Sequence, residues 1–413
     1  MRWLLPLFCL LAAAPGALAA DWVWSLPSYV PQPRVPEDNP MSVEKVALGH
    51  RLFYDQRLSG NGTLSCSSCH RQDLAFSDDR QLSPGSTGEL TLRRAQRLAN
   101  AAWHATFTWA NPTLVTLERQ MEVPLFGESP IEMGVTDANR PIILGRLEAD
   151  SRLREEFHAA FPEDPRPLSF ANIIKAIASF ERSLISFDSK YDRYLRKKAT
   201  LTPAEARGKD LFFGEKAECH HCHGSFNFDD QVVHAQSRAV ETPFHNTGLY
   251  NLGIDGDYPV PNRGVYEISG RRDDMGAFRA PSLRNVAVTG PYMHDGSVGT
   301  LEEVLDNYAA GGRIITSGPN QGDGRANPHK DDLIVTIELD AQEKGDLIAF
   351  LRTLTDESLL QSGDYAPPDI IPRPTPAPDR LAPPAPGCSA PPHDAAAPPH
   401  NRSGPALPTD SQC

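Results

Sequence analysis

The pentads Cys66-Ser-Ser-Cys69-His70 and Cys219-His220-His221-Cys222-His223 stand 153 residues apart and constrain this chain more than any other feature. In a Cys-X-X-Cys-His run two thiols lie on one side of a single helical turn, followed at once by an imidazole. That arrangement holds a c-type haem through its vinyl groups and ligates its iron. With 7 Cys and 13 His in 413 residues, chance gives roughly 0.004 such pentads per chain. The alternatives are a zinc site built from Cys-X-X-Cys pairs and a thioredoxin-like redox pair. Zinc modules gather their ligands within one small unit, which the separation opposes. The chain therefore reads as binding two covalent haem c groups, one at Cys66, Cys69 and His70 and one at Cys219, Cys222 and His223, with His70 and His223 as the proximal iron ligands.

Residues 1–19 read as a signal peptide: Arg2, the apolar run Leu4–Ala14, then Ala17-Leu-Ala19 as a cleavage site. Signal and pentads point to one compartment, the periplasm. No later stretch is apolar enough to span a bilayer, so no membrane insertion is expected. A net charge of −13 and a pI near 5.5 disfavour nucleic acid and anionic lipid surfaces as partners.

The spacing predicts an all-α protein with two cytochrome c-like haem domains, 20–196 and 197–362, joined near Arg196–Leu201 and connected by long irregular loops. A helix opened by Asn39 or Ser42 carries Leu48, Leu52 and Phe53 towards the first pentad. Another from about Ser169 carries Ile173, Ile177, Phe180 and Leu184. Thr202-Pro-Ala-Glu205 is a capping box whose helix runs to Phe213 before the second pentad, repeating the order of the first half. Thr300-Leu-Glu-Glu303 and Asp340-Ala-Gln-Glu343 start two more helices. From 363 to 413 a proline-rich, disordered tail is expected: 15 of the last 48 residues are proline, so no core can form. Cys388 and Cys413 lie in it and receive no role.

Several motifs make the chain similar to the bacterial di-haem cytochrome c peroxidase and MauG superfamily. They are Leu64-Ser-Cys-Ser-Ser-Cys-His70 with Ala75-Phe-Ser-Asp78, Pro124–Gly134, Phe244-His-Asn-Thr-Gly248, Phe278-Arg-Ala-Pro-Ser-Leu-Arg-Asn285 and Pro291-Tyr-Met-His-Asp-Gly296. Trp22-Val-Trp24-Ser-Leu-Pro27, Asn39-Pro-Met-Ser42 and Thr108-Trp-Ala-Asn-Pro112 resemble the MbnH branch, whose namesake oxidises tryptophan on a partner protein, MbnP.

The resemblance implies that hydrogen peroxide reacts at the first haem and that the second transfers electrons. A histidine sixteen residues after the first pentad caps the iron in many relatives. Here that residue is Ser86, and no histidine lies between His70 and His104, which implies an open iron. Glu132 matches the family's acid/base glutamate, with Glu128 and Glu122 as competitors. Gln120 and Pro124 match pocket residues, and Trp109 matches the inter-haem tryptophan, with Trp103 as fallback. Tyr308, fourteen residues after His294, stands where peroxidases place a methionine ligand and MauG a tyrosine. Its spacing with Leu301, Val304 and Leu305 also suits a helix core position, and Met293 and Met275 are alternative ligands. His294, His245 and Arg279 are expected as structural or propionate contacts. The family's calcium site matches at Thr289 and Pro291, but Arg94 replaces its asparagine, which leaves calcium open. Three activities follow: peroxide-driven oxidation of an aromatic residue on a protein substrate, peroxide reduction with electrons from a small periplasmic donor, and plain electron carriage.

Overall fold

The computed structural model describes residues Trp22–Pro368. The expected signal peptide and all but the first residues of the expected tail lie outside that range.

Helices begin where the sequence supplies caps. The first half contains α1 (Val43–Phe53), α2 (Leu117–Phe126), α3 (Arg140–Glu148), α4 (Ser151–Ala160), α5 (Phe170–Arg182) and α6 (Lys190–Leu195). Of the two candidate caps of α1, Ser42 is the one used: its hydroxyl accepts from the Lys45 N–H at 3.2 Å. Ser169 caps α5 in the same way, and Leu184 falls just beyond the helix. The second half contains α7 (Pro203–Phe212), α8 (His220–His223), α9 (Tyr266–Ser269), α10 (Leu301–Ala309), α11 (Ala341–Arg352) and α12 (Glu357–Gln361). Capping boxes form at Thr202/Glu205, Thr300/Glu303 and Asp340/Glu343, as their spacing predicts. Mostly helical is the accurate description. All-α needs one correction, because β1 (Ile314–Ile315) pairs antiparallel with β2 (Gly322–Asp323). The second expected correction concerns the tail. Tyr365 packs on the first core, its hydroxyl donating to the Ser183 carbonyl at 3.1 Å and its carbonyl accepting from the Tyr54 hydroxyl at 2.7 Å.

One helix crossing builds each half. α1 lies on α5, burying Leu48, Leu52 and Phe53 against Ile173, Ile177 and Phe180. α7 lies on α11, burying Phe212 against Leu347, Phe350 and Leu351. Each such side chain is worth about 1.5–3 kcal/mol. Both crossings close on a glycine. A Cβ on Gly49 would stand 1.9 Å from the Ala176 carbonyl oxygen, and one on Gly208 1.9 Å from that of Asp346.

The duplication extends to two buried asparagines that the sequence reading passed over. Asn100 and Asn285 both take the left-handed conformation, φ 58° and 61°, which asparagine tolerates better than most residues. Each accepts at Oδ1 a backbone N–H from beyond its half's last long helix, Ser186 at 2.7 Å and Asp356 at 2.8 Å. Each also donates its own N–H into that segment, to Leu184 and Leu354.

Alanine at Gly49 or Gly208 should lower stability by about 2 kcal/mol or more, a Tm drop of roughly 4–8 °C. Alanine at Gly145, a helical glycine with open space around its Cβ, should leave Tm unchanged or raise it slightly. Thermal melts of the three holoproteins check both expectations.

Candidate haem sites

The two pentads present their histidines by one device. Cys66–Ser68 forms a 3-10 turn ahead of His70, and Cys219 caps α8, which carries Cys222 and His223. None of these four cysteines forms a disulfide. His70 Nδ1 lies 2.9 Å from the Phe76 carbonyl, and His223 Nδ1 lies 3.1 Å from that of Phe228. A carbonyl can only accept, so Nδ1 carries the hydrogen and Nε2 keeps the lone pair an iron ligand needs. Burial lowers the pKa of both rings, that of His223 to about 4, so both are neutral at pH 7. The accepting residues are themselves strained: Phe76 has φ 60° and Phe228 φ 57°. For a bulky side chain that costs on the order of 1–3 kcal/mol, and the two rings, buried in the two cores, hold the conformation.

The second pentad faces a cavity of about 450 Å³. Leu301, Val304, Leu305 and Tyr308 of α10 form the wall that shares it with Cys219, Cys222 and His223. The helical stripe that suggested core packing therefore lines the cavity, and Tyr308 lies on the wall shared with His223. Burial raises its pKa, and the nearby Cys222 and Cys219 thiols raise it further. Met293 also lines the cavity, whereas Met275 is fully buried in a separate core with Tyr258.

The same cavity holds buried donors short of acceptors. Arg279 donates to the Thr106 carbonyl at 3.1 Å and Gln96 Oε1 at 2.7 Å, but its Nε has no partner. His104 Nε2 makes no hydrogen bond and stands 3.5 Å from Asp229. Burial pushes Arg97 down to about 9, and Arg94 beside it adds to the shift. His294, stacked 3.6 Å from Phe278, leaves its Nε2 unpartnered as well. Unpaired buried cations are expensive. Two propionates on a covalently held macrocycle would supply the missing acceptors, so the residues fit a haem. His245 is differently placed, clamped between Asp230 at 2.6 Å and Asp331 at 2.5 Å, and its pKa rises to about 11 despite burial.

At the first pentad, Glu132 is half-buried and burial raises its pKa. Its charge reaches the Cys69 thiol. Glu128 is exposed, and Glu122 pairs with Arg119 at 2.7 Å on the outer face of α2. Pro124 inside α2 has no N–H for the Gln120 carbonyl. At the end of that helix the Pro124 and Leu125 carbonyls accept from Met133 and Val135 at 2.9 and 3.0 Å, seating the Glu132 segment. The Ser86 N–H donates to the Glu132 carbonyl at 2.7 Å, so the loop with serine in the histidine position braces the glutamate's backbone. Glu181 of α5 was not singled out by sequence reasoning, although it follows Ile177 by four residues and so falls on the buried face. It is 4% exposed with Oε2 unpartnered, and burial lifts it to about 8.

A strip from Arg94 to Arg97 runs between the two pentads: Gln96 touches the His70 ring through its backbone, and the Arg97 charge reaches His223. Trp109 lines the cavity beside this strip and donates from Nε1 to the Arg94 carbonyl at 2.8 Å. Trp103, the fallback, is packed among Phe187 and Phe226 with Nε1 on the Pro31 carbonyl at 2.9 Å, away from the cavity. Of the two residues expected at a calcium ion, Thr289 meets a guanidinium through its hydroxyl, and so does the Gly290 carbonyl next to Pro291. Arg97 donates to Thr289 Oγ1 at 2.6 Å, and Arg94 to the Gly290 carbonyl at 2.8 Å. A divalent ion about 5 Å from one guanidinium would be repelled by roughly 7 kcal/mol at an effective dielectric of about 20. These residues do not fit calcium.

Two thiol pairs with ligation-ready histidines around a strip that touches both define a di-haem c-type oxidoreductase. A family model for di-haem cytochrome c peroxidase matches residues 43–200. Cytochrome-c peroxidase IdrP1 of Pseudomonas sp. (strain SCT) is 34% identical, over 84% of this chain and 90% of its own length. The methylamine utilization protein MauG of Methylorubrum extorquens is 33% identical over 80% and 83%. The crystal structure of a MauG-like protein associated with microbial copper homeostasis is 63% identical, with a TM-score of 0.83, over 84% of this chain and 99% of that one. The chain belongs to the di-haem cytochrome c peroxidase and MauG family and is a haem-dependent oxidoreductase.

Glu181 supplies a pH prediction. Its carboxyl is protonated in the folded protein up to about pH 8 but ionises in the unfolded chain from about 4.5. Its contribution is therefore complete below about pH 4.5 and lost as pH rises through about 8. Relative to Glu181→Gln, the wild type should lose roughly 2–4 kcal/mol between pH 5 and pH 9. Urea unfolding at the two pH values reads the difference, and equal losses in both proteins would rule it out.

Proposed function

We propose that this protein works in the periplasm and uses hydrogen peroxide to oxidise an aromatic residue, tryptophan by preference, on a partner protein of the MbnP kind. The observation that carries this is Tyr308 on the cavity wall that also holds His223. A phenolate ligand disfavours the high potential that a donor-fed peroxidase needs from its second haem. The likeness to the MauG-like protein associated with microbial copper homeostasis supports the same choice.

The bound haems would supply peroxide activation and storage of oxidising equivalents. The chain supplies the surroundings. At the first site Glu132, with its pKa raised by burial, takes a proton from one peroxide oxygen and returns it to the other, which leaves as water. Gln120 and Pro124 would shape that pocket, and Ser86 offers no imidazole to compete at a haem that Cys66, Cys69 and His70 would hold. Trp109 places an aromatic ring beside the strip joining the sites, on the route by which electrons arrive from the partner's side chain. Two electrons leave that side chain for each peroxide reduced to two waters.

A second activity, peroxide reduction with electrons from a small periplasmic donor, is favoured by one observation: Met293 lines the same cavity and offers a thioether. The test is to add one equivalent of hydrogen peroxide to the purified diferric holoprotein while recording near-infrared and EPR spectra. The expected outcome is a long-lived near-infrared band with loss of both ferric signals, and Tyr308→Met should abolish that band. A diferric protein that stays inert until half-reduced by a donor cytochrome would establish the peroxidase instead.

A further inference from the structure

We infer that Arg94, with Arg97, replaces the inter-half calcium ion of this family, as a calcium-independent positioning pair that fixes the two haem sites and Trp109 relative to one another. Each half contributes acceptors to the pair. From the first half, Arg94 takes Ser77 Oγ at 3.3 Å and the Asp78 carbonyl, both just after the first pentad. From the second, it takes the Gly290 carbonyl at 2.8 Å, while Arg97 takes Thr289 Oγ1 at 2.6 Å and the Ser282 carbonyl.

The Arg94 backbone continues the link. Its N–H donates to the His294 carbonyl at 2.9 Å, and its carbonyl receives the Trp109 indole N–H. One residue therefore touches the strand of chain after the first pentad, the loop bearing His294, and the tryptophan beside the second haem cavity. A calcium ion would gather carbonyl and side-chain oxygens in the same manner. Here Arg94 stands where the family has its asparagine, and its guanidinium, which donates but cannot ligate, holds the Gly290 carbonyl with a fixed fork geometry.

Charge completes the case. Arg94 is buried, and Asp78, itself buried with Oδ2 bonded to Ser83 Oγ at 2.6 Å, is the first carboxylate that favours its charged form. The other groups whose charge reaches the pair are Asp79, Tyr292 and Arg279. Arg94 and Arg97 already oppose one another, and a divalent cation beside them would add to that repulsion.

The test needs neither peroxide nor a protein substrate, so its failure is separate from failure of the proposed activity. The wild-type holoprotein, dialysed against calcium chloride, should retain under about 0.1 calcium per chain. EGTA should change neither its Tm nor its ferric EPR spectrum. Arg94→Asn should lower Tm by several degrees and alter the ferric EPR line shape at temperatures where the variant is fully folded. Added calcium should restore part of that loss in Arg94→Asn and do nothing to the wild type. Arg94→Lys, which keeps the charge without the fork, should show the altered line shape with a smaller loss of Tm. Stoichiometric calcium in the wild type, or an EGTA-induced change in its spectrum, would overturn the inference. So would an Arg94→Asn line shape identical to wild type.

Discussion

Everything at the two sites depends on a hydrogen bond from a histidine Nδ1 to a phenylalanine carbonyl. It decides which ring nitrogen carries the hydrogen and hence which can meet a metal. The carbonyl points at the ring only because Phe76 and Phe228 accept left-handed backbone angles. That strain is sustained by aromatic burial: Phe76 packs against Phe53 and Phe180, and Phe228 against Phe212 and Phe350. The helix crossings that position those rings close on glycine in both halves. A chain of dependence therefore runs from two glycines, through two aromatic cores, to two imidazole tautomers.

The halves are alike in this frame and different in what surrounds it. The first site has a carboxylate, Glu132, in a segment seated on the end of a proline-containing helix. The second has a roomy cavity walled by α10 and rich in buried cations. Acid/base chemistry suits the former. The latter suits a cofactor whose carboxylates neutralise the arginines and whose electronic properties are set by an axial side chain. Between them the Arg94–Arg97 strip joins elements of both halves.

Much of this was legible in the sequence. Cys-X-X-Cys-His is a local pattern within one turn, so the attachment residues need no tertiary information. Capping boxes are equally local, which is why Thr202, Thr300 and Asp340 mark helix starts correctly. Among Glu122, Glu128 and Glu132 only the family resemblance favoured Glu132, and no local pattern did. Each is a glutamate in one short stretch, and the fold brings Glu132 within electrostatic reach of Cys69 while Glu128 is exposed and Glu122 pairs with Arg119. Trp109 was likewise preferred to Trp103 by resemblance alone, and packing places Trp103 in a core and Trp109 at the cavity. Asn100 and Glu181 were not singled out, and Asn285 stood only as the end of a family motif, because their partners lie tens of residues away or are absent.

The sequence by itself determined the haem attachment points, the mostly helical architecture and its duplication, since each rests on spacings of a few residues that fix a turn, a cap or a helical face. Tertiary structure decided how each candidate glutamate and tryptophan is buried, that Tyr308 lies on the cavity wall with His223, and that guanidiniums bond to Thr289 Oγ1 and the Gly290 carbonyl. Those outcomes depend on burial and on contacts between distant segments, and no local pattern encodes the desolvation that separates a buried charge from an exposed one.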